Sequence, residues 1–444
     1  MSLDVGGLRI RRPLVLGFGV TGRAVVEFCL RRELPALVSE ARRLTDDERA
    51  WLTDHGIAFE ENGHTERLLS NADVVVLSPG VPAGHPVPSA ARDAGILVLS
   101  ELDFASSQAF GVPIVAVTGT NGKGTTVTLI DAILRRTGWR TRLGGNIGTP
   151  FISLVEGIED CDAVVLEASS FQLEQSELLR PRVGALLNLT PDHLDRHATM
   201  AAYAEAKGRL FRLQDHEDVA VVPSGLRDRD VFRQGKGRRI LFDAPPLALP
   251  VGTELLSPHN RENLAAAVSC VSSLDPTFDG RALAIDSLQD AFSLPHRMEE
   301  IGAVNGVRVI NDSKSTNANS TVAALRAIDA RTTSLLGGRH KGAGYTALAR
   351  EILSRDVQQV VVFGEAASYF EDLFENEGIT TMRASSMEEA VALGLAGARS
   401  GDVLLFSPAC SSFDAFRNYA ERGEAFVRAV RACSGFVERT GKDA

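Results

Sequence analysis

A glycine-rich segment with a single lysine could bind phosphate. The apolar run Ile114–Val117 leads into Thr118-Gly119-Thr120-Asn121-Gly122-Lys123-Gly124-Thr125-Thr126, and a helical pattern of apolar residues follows. A buried strand that ends in such a turn at the start of a helix exposes backbone N–H groups to an anion. Lys123 adds a positive charge for the outer phosphates of a nucleotide. The segment therefore predicts a nucleotide-phosphate site.

This segment departs from the general phosphate-loop pattern at both ends. Val117 stands where that pattern has glycine, and Gly124 stands where it has the serine or threonine that ligates magnesium. Either Thr125 or water replaces that magnesium ligand, or the metal is bound more weakly.

Further polar residues follow other apolar runs. Glu167 ends one such run, where a carboxylate could hold magnesium directly or through water. His193 and His197 have the spacing of a helical zinc site, but Leu194 stands where zinc peptidases have their glutamate. We therefore expect a magnesium–nucleotide site, with Asp192 and His193 near the metal or the transferred phosphoryl group.

Two segments in the last third of the chain, Asn311–Asn317 and Gly337–Gly342, each follow an apolar run. They contain Asp312, Lys314 and Lys341, which could hold a small dianionic substrate and a phosphoryl group together. Solvated loops would explain either segment alone, whereas their occurrence after two successive runs favours a site.

Near the amino terminus, Gly17-Phe18-Gly19-Val20-Thr21-Gly22 follows an apolar run with G-x-G-x-x-G spacing. Glu40 ends the next run, where an acidic residue would meet a ribose. This pattern predicts a site for a dinucleotide or for a nucleotide diphosphate such as UDP, the alternative being an ordinary tight turn.

The elements that must position these residues are short runs that are apolar on every side chain. Such runs begin at residues 14, 74, 115, 164, 185, 334, 360 and 403, and helical patterns separate them. This alternation predicts an α/β protein with parallel sheets, whose ligands bind at the carboxyl ends of the strands. A chain of 444 residues predicts two or three domains, with boundaries near Leu99 and Leu294.

Composition excludes several classes of protein. The formal net charge of −10 argues against a general nucleic-acid binder. The five cysteines lie far apart and form no Cys-x-x-Cys pair, which favours a reducing compartment. No apolar run approaches the roughly 18–20 residues of a membrane span, and the amino terminus lacks a signal-peptide pattern. We therefore expect a cytoplasmic protein.

Over essentially its whole length the chain resembles the ATP-dependent Mur ligases of peptidoglycan synthesis. The matching motifs are Thr118–Lys123, Gly145–Gly148, Leu166–Glu174, Asp192–Asp195, Pro295–Arg297, Asn311–Lys314, Leu335–Gly338 and Leu405–Asp414 through Gly423. The resemblance implies a Rossmann-like UDP-substrate-binding domain over residues 1–98, a central P-loop ATPase-type domain with a parallel sheet over 99–293, and a Rossmann-like domain over 294–444 that binds the amino acid.

The resemblance also implies a reaction: the addition of D-glutamate to UDP-N-acetylmuramoyl-L-alanine through an acyl phosphate. The ending from Ser407 to Gly423 favours D-glutamate over the amino acids of other Mur ligases. The alternatives are another Mur ligase or a folylpolyglutamate-type ligase, and a non-catalytic nucleotide-binding protein in which Gly124 marks lost chemistry. An NAD-dependent oxidoreductase would account only for Gly17–Gly22 and Glu40.

Residue by residue, the resemblance implies the following roles. ATP would contact Gly119, Thr120, Asn121, Gly122, Lys123, Gly124, Thr125, Asn263, Arg297 and Asp312. The catalytic residues would be Lys123, Glu167, His193 and Lys207. The UDP substrate would contact Val20, Thr21, Glu40, Arg42 and Asn146, and D-glutamate would contact Lys314, Thr316, Lys341, Ser412 and Phe413.

Two magnesium ions are implied, held by Glu167 and His193, with Thr125 as a further candidate ligand. Lys207 matches the family lysine that CO₂ converts to a carbamate, which can help to hold the second metal. From its residue type alone, Lys207 would be a solvated helix lysine. We further expect small-molecule substrates, a monomer, and neither a nucleic-acid nor a membrane partner.

Overall fold

The apolar runs fold into three mainly parallel sheets, which confirms the predicted α/β class. The computed structural model describes residues 3–5, 8–82, 84–109, 111–226, 234–243, 249–253, 256–292, 295–341 and 344–439. Two compact units divide the chain: Met1–Leu189 with Ala201–Phe292, and Thr190–Met200 with Ser293–Ala444. The predicted boundary at Leu294 lies outside the described residues, and the exact domain limits stay a prediction.

The first sheet belongs to the first unit and has the strand order β5-β4-β3-β6-β7, with all neighbours parallel. A separate antiparallel pair, β1 and β2, precedes it. The elements are β1 (Leu3–Val5), β2 (Leu8–Ile10), β3 (Pro13–Leu16), α1 (Val20–Arg31), β4 (Leu37–Ser39), α2 (Asp46–Asp54), β5 (Ala58–Glu60), β6 (Val74–Leu77), α3 (Pro86–Asp93), β7 (Leu97–Ser100) and α4 (Glu101–Ser106).

The central sheet completes the first unit, and its order is β13-β12-β11-β8-β10-β9, again all parallel. Its elements are β8 (Ile114–Thr118), α5 (Lys123–Arg136), β9 (Thr141–Gly145), α6 (Phe151–Leu154), β10 (Ala163–Glu167), α7 (Ser170–Leu173), β11 (Val183–Leu186), α9 (Met200–Gly208), β12 (Val219–Val222), β13 (Arg238–Leu241), α10 (Pro258–Leu274) and α11 (Gln289–Phe292); the one-turn α8 (Leu194–His197) belongs to the second unit.

The sheet of the second unit has the order β18-β17-β16-β19-β15-β14-β20. Strands β14 and β20 run antiparallel to their neighbours, and the other pairs are parallel. The elements are β14 (Glu299–Val304), β15 (Val307–Asn311), α12 (Ala318–Arg326), β16 (Thr332–Gly337), α13 (Thr346–Ser354), β17 (Val357–Phe363), α14 (Ala367–Asn376), β18 (Thr381–Arg383), α15 (Met387–Leu395), β19 (Val403–Ala409), α16 (Tyr419–Arg431) and β20 (Phe436–Glu438).

Helix α5 shows why the sequence folds in this way around the phosphate loop. Val127, Ile130, Ile133 and Leu134 are fully buried on one face of the helix, as their spacing predicts. Burying each of these side chains stabilises the fold by about 1.5–3 kcal/mol. The helix ends at Arg136, and Gly138, two residues later, has a φ of +92°. Its packing fixes the first turn of the helix against the central sheet.

In the part of the chain that the structure describes, no helix is long and apolar enough to span a membrane.

A carboxyl group is buried where the first sheet leads into the central one. Glu101, the first residue of α4, is 2% exposed and accepts a hydrogen bond from the backbone N–H of Ile152 at 2.7 Å. Burial raises the pKa of Glu101 to about 7. Between pH 4.5 and about 7, Glu101 is therefore protonated in the folded protein and ionised in the unfolded chain.

Because the pKa of Glu101 is raised on folding from 4.5 to about 7, its contribution to stability is lost as the pH rises through that window. The free energy of unfolding should fall by about 3 kcal/mol across it. Glu101→Gln mimics the protonated form, so thermal unfolding of this variant should lack that part of the pH dependence. Asp93→Asn, at an exposed carboxyl, is the control and should keep it. A wild-type slope in Glu101→Gln would contradict the assignment.

Candidate functional site

The phosphate loop connects the buried strand β8 to the start of α5. Gly122 caps the helix with a left-handed φ of +85°. The side chain of Lys123 turns back over the loop, where its Nζ donates to the carbonyl oxygens of Gly119 at 2.9 Å and Thr120 at 2.8 Å. The first N–H groups of a helix have no partner within it, so an ammonium group and a helix amino terminus lie together here.

Asn188, which lies just after β11, holds this loop in shape. Its Oδ1 accepts from the backbone N–H of Thr120 at 3.1 Å and of Asn121 at 2.9 Å, and its Nδ2 donates to the Asn121 carbonyl at 3.1 Å. Sequence reasoning missed this role, although a polar residue directly after a buried strand is a usable signal. Asn188 therefore fixes the conformation of the phosphate loop.

Lys207 is buried beside the same loop, so its reading as a solvated lysine is wrong. The side chain is 1% exposed and extends from α9 to the phosphate loop. Its Nζ lies 2.8 Å from the Gly119 carbonyl oxygen, 3.4 Å from the Thr118 hydroxyl and 4.6 Å from the ring centroid of Tyr203. Tertiary packing, which residue type alone does not reveal, places this amine at the phosphate loop.

Glu167 occupies the carboxyl end of β10, next to the phosphate loop on β8. Its carboxylate is 1% exposed, and Oε1 accepts from Nδ2 of Asn146 at 2.7 Å. The Asn146 backbone N–H also donates to the Glu167 carbonyl at 2.8 Å. The structure thus joins Asn146, a predicted substrate contact, to Glu167, a predicted metal ligand.

The first turn of α5 contains the departure at Gly124. Both Gly124 and Thr125 are buried, and the Gly124 carbonyl accepts from the Thr128 hydroxyl at 2.8 Å. Asn263 in α10 is 6% exposed and approaches the same turn, with its Oδ1 3.5 Å from the Thr126 hydroxyl. The predicted contacts of ATP in the first unit, from Gly119 to Thr125 and Asn263, therefore lie around one helix amino terminus.

We expect Gly122→Ala to weaken nucleotide binding. A Cβ at residue 122 would lie 2.2 Å from Oδ1 of Asn263, on a backbone with a left-handed φ, so the KM for ATP should rise roughly tenfold or more. Gly138→Ala is the matched control, because Gly138 has a φ of +92° but no atom within 4 Å of the added Cβ. Calorimetric titration with ATP should show weaker binding only for Gly122→Ala, and equal binding by both variants would contradict the prediction.

The glycine-rich turn after β3 is packed tightly against α1. A Cβ at Gly22 would lie 1.8 Å from the carbonyl oxygen of Gly17, so only glycine fits. Glu40 is buried, and its carboxylate accepts from the backbone N–H of Phe18 at 2.5 Å and of Arg42 at 3.1 Å. Glu40 thereby stabilises the turn itself.

The other predicted contacts of the UDP substrate lie around this turn. Val20 is 76% exposed at the start of α1, and Thr21, which follows it, is half-buried. The guanidinium of Arg42 forms a bidentate pair with Glu48, at 2.8 and 2.7 Å. Arg42 and the start of α1 thus present polar and apolar groups at the carboxyl edge of the first sheet.

In the second unit, Arg297 and Asp312 lie close together. Arg297 stands between His296 and Met298, which have φ values of +60° and +46°, a backbone conformation that is typical of functional sites. The Asp312 carboxylate accepts from the Ser407 hydroxyl at 2.7 Å and from the Met298 N–H at 3.2 Å. Burial raises the pKa of Asp312 to about 6, although these hydrogen bonds and Arg297 oppose the shift.

The segment that contains His193 groups with the sheet of the second unit. His193 has a φ of +54° at the start of the one-turn α8. Its neighbour Asp192 is buried, with Oδ1 3.2 Å from Nζ of Lys341 and Oδ2 3.1 Å from Nδ2 of Asn317. Nζ of Lys341 also lies 3.5 Å from the Thr316 hydroxyl.

The remaining predicted contacts of the amino acid also follow strands of this sheet. Lys314, after β15, places its Nζ 3.9 Å from the ring centroid of Tyr419, a cation–π contact. Ser412 and Phe413 follow β19, where Ser412 is 2% exposed and Phe413 is 63% exposed. Strand β19 lies between β15 and β16, so the three predicted binding segments share one edge of the sheet.

Sequence reasoning gave no role to Arg422, although it is the largest fully buried side chain of the described residues. Its guanidinium donates to the carbonyls of Ser313 at 2.8 Å and Cys410 at 2.9 Å, and to that of Gly337 at 3.4 Å. These three residues begin the loops that carry Lys314, Lys341 and Ser412. Arg422 therefore ties together the three segments that are predicted to bind the amino acid.

Comparison with known proteins shows the family of the chain. A UDP-N-acetylmuramoylalanine–D-glutamate ligase of Syntrophotalea carbinolica is 37% identical to the chain over 458 residues, which cover 96% of this chain and 98% of that protein. The chain belongs to the Mur ligase family. The ligase of the same name from Pelobacter propionicus is 39% identical to this Mur ligase over 459 residues, covering 96% and 99% of the two chains.

Three family models match successive parts of this Mur ligase: the MurD N-terminal domain over residues 12–86, the Mur ligase middle domain over 117–236, and the Mur ligase glutamate ligase domain over 296–410. The crystal structure of MurF ligase from Thermotoga maritima in complex with ADP is 15% identical to this chain and has a TM-score of 0.56. It covers 89% of this chain and 94% of its own. That likeness confirms the three-domain Mur ligase fold.

Proposed function

We propose that this Mur ligase joins D-glutamate to UDP-N-acetylmuramoyl-L-alanine at the expense of ATP, a step of peptidoglycan precursor synthesis. The observation that carries the proposal is the near-complete match to D-glutamate ligases, which extends from the MurD N-terminal domain to the glutamate ligase domain. Each unit of the structure supplies part of the necessary chemistry: a phosphate loop in the first, and a doubly cationic strand edge in the second.

The reaction needs ATP because a carboxylate does not react with an amine at neutral pH. The carboxylate of the UDP substrate attacks the γ-phosphoryl group, forming an acyl phosphate and releasing ADP. The neutral D-glutamate amine then attacks the acyl carbon and the amide forms. Phosphate leaves with the bond electrons and takes up the proton that the amine loses. Lys123 would neutralise charge on the β- and γ-phosphates, where two anions must approach each other.

The residues of the first unit fit a magnesium ion. Glu167 supplies the hard oxygen donors that Mg²⁺ prefers, and Asn146 orients its carboxylate at 2.7 Å. Bound magnesium would supply positive charge to the phosphates during phosphoryl transfer. We propose Glu167 as a ligand of one ion and His193 as a ligand of the second, with Thr125 as a further candidate. Lys207, as a carbamate, would help to hold the second ion.

We further propose Asn263, Arg297 and Asp312 as contacts of the nucleoside part and phosphates of ATP. Val20, Thr21, Glu40 and Arg42 form the proposed nucleotide site of the UDP substrate, with Asn146 near its reacting end. The substrates are small molecules, and we propose that the enzyme is a monomer in the cytoplasm.

The test is magnesium-dependent phosphate release from ATP with UDP-N-acetylmuramoyl-L-alanine present. D-glutamate, L-glutamate, L-alanine and meso-diaminopimelate are added in turn, and the product is analysed by mass spectrometry. We expect release only with D-glutamate, and a product one glutamyl unit heavier. Phosphate release with another amino acid would support a ligase activity but with a different amino-acid substrate. The absence of phosphate release with all four amino acids would contradict the proposal. It would favour a non-catalytic nucleotide-binding protein in which Gly124 reflects lost chemistry.

A further inference from the structure

Two oppositely charged side chains meet inside the second unit, next to the segments proposed to bind the amino acid. Nζ of Lys341 lies 3.2 Å from Oδ1 of Asp192. Both residues are buried, with exposures of 8% and 4%. Asn317 donates to the second carboxylate oxygen of Asp192 at 3.1 Å, and the Thr316 hydroxyl lies 3.5 Å from Lys341 Nζ. The Asp192 carboxylate is therefore held in one orientation beside a residue of the amino-acid site.

A buried ion pair contributes little to folding, because the cost of removing two charges from water offsets their attraction. Replacing such a pair by apolar side chains is often neutral or stabilising. Stability alone thus gives no reason for Asp192 and Lys341 to be buried at the ligand-binding edge of the sheet. A ligand that carries both signs of charge does give one, since each side chain would then meet a partner of opposite charge.

The charges at this edge match those of a dicarboxylic amino acid. At neutral pH, D-glutamate has two carboxylates and one ammonium group. Lys314 and Lys341 supply two cations, and Asp192 supplies one buried anion among the same loops. We propose that Asp192 binds the ammonium group of the incoming amino acid while Lys341 binds one of its carboxylates. This inference rests on the proposed function and names a specificity determinant within it.

The assignment also gives a physical basis for the selection of one enantiomer. If the protein contacted only the two carboxylates, the ammonium group and the α-hydrogen could exchange places, and both enantiomers would fit equally well. A third contact, to the ammonium group, distinguishes D-glutamate from L-glutamate. Asp192 therefore selects for an amino acid over a dicarboxylate without an ammonium group, and for one enantiomer over the other.

The test compares D-glutamate with glutarate, which has both carboxylates but no ammonium group. In Asp192→Asn, we expect the KM for D-glutamate to rise roughly tenfold or more. The inhibition constant of glutarate against D-glutamate should stay the same or fall, because Lys341 loses its internal partner. If Asp192 had a purely structural role, Asp192→Asn would weaken the binding of D-glutamate and of glutarate alike. That result, or an unchanged KM for D-glutamate, would overturn the inference.

Two further variants complete the design. Asp372→Asn removes the same charge from an exposed position on α14 of the same unit and should behave as wild type with both ligands. Asp192→Glu retains the charge and should recover the preference for D-glutamate over glutarate. Wild-type turnover with D-glutamate tests the proposed function separately. If it fails, ligand-observed NMR of D-glutamate and glutarate binding to wild type and Asp192→Asn still decides the inference.

Discussion

Lys123→Ala should abolish ATP turnover while leaving the binding of the UDP substrate intact. Lys123 is the cation of the phosphate loop, and its Nζ lies within 2.9 Å of two loop carbonyls at the start of α5. Removing a group that neutralises transition-state charge costs about 10²–10³-fold in kcat, and we expect the upper end of that range because we propose that Lys123 contacts the transferred phosphoryl group. Magnesium-dependent phosphate release measures the loss, and calorimetric titration measures binding of the UDP substrate.

The control for this experiment lies on the same helix. Arg136→Ala removes an exposed cation from the last turn of α5 and should keep wild-type turnover. Because Lys123 also contacts the loop carbonyls, thermal unfolding of Lys123→Ala must match wild type before its activity is interpreted. A folded Lys123→Ala variant with normal turnover would refute the phosphate-loop assignment.

The sheets were predictable because their strands are buried on both faces. Runs such as Val115–Val117 and Leu404–Phe406 have no polar face, and such a pattern has few explanations other than a parallel strand between helices. The antiparallel elements carry no such signal. Strands β2 and β20 are short and largely exposed, so their pairing depends on what lies beside them in the fold.

The residues of the site were predictable where they lie in a local pattern and not where their role depends on packing. Lys123 and Glu167 stand at strand ends that the sequence marks. Lys207 and Arg422 stand within helices, where a charged side chain is normally solvated, and only tertiary structure shows that both are buried. The sequence also does not indicate that the segment around His193 groups with the sheet of the second unit.

Lys207→Arg and Lys207→Met should both reduce turnover on the order of 10³-fold, the upper end of the loss seen when a single group that stabilises the transition state is removed. The two substitutions separate two roles for this buried amine. As a cation, Lys207 would support the loop through its 2.8 Å contact with the Gly119 carbonyl, and arginine would preserve much of that role. As a carbamate, it would be an anion, which neither arginine nor methionine can become.

A direct measurement decides between these roles. The protein equilibrated with ¹³C-labelled CO₂ should show a carbamate signal in its ¹³C NMR spectrum, and Lys207→Arg should lose it. Lys236→Arg, at an exposed lysine of the central sheet region, should retain both the signal and turnover. An active Lys207→Arg variant would make Lys207 a loop-supporting cation and leave Glu167 as the proposed anionic metal ligand in the first unit. Loss of turnover together with loss of the signal would instead establish the carbamate, because the charge of the side chain would then have reversed at a buried position beside the phosphate loop.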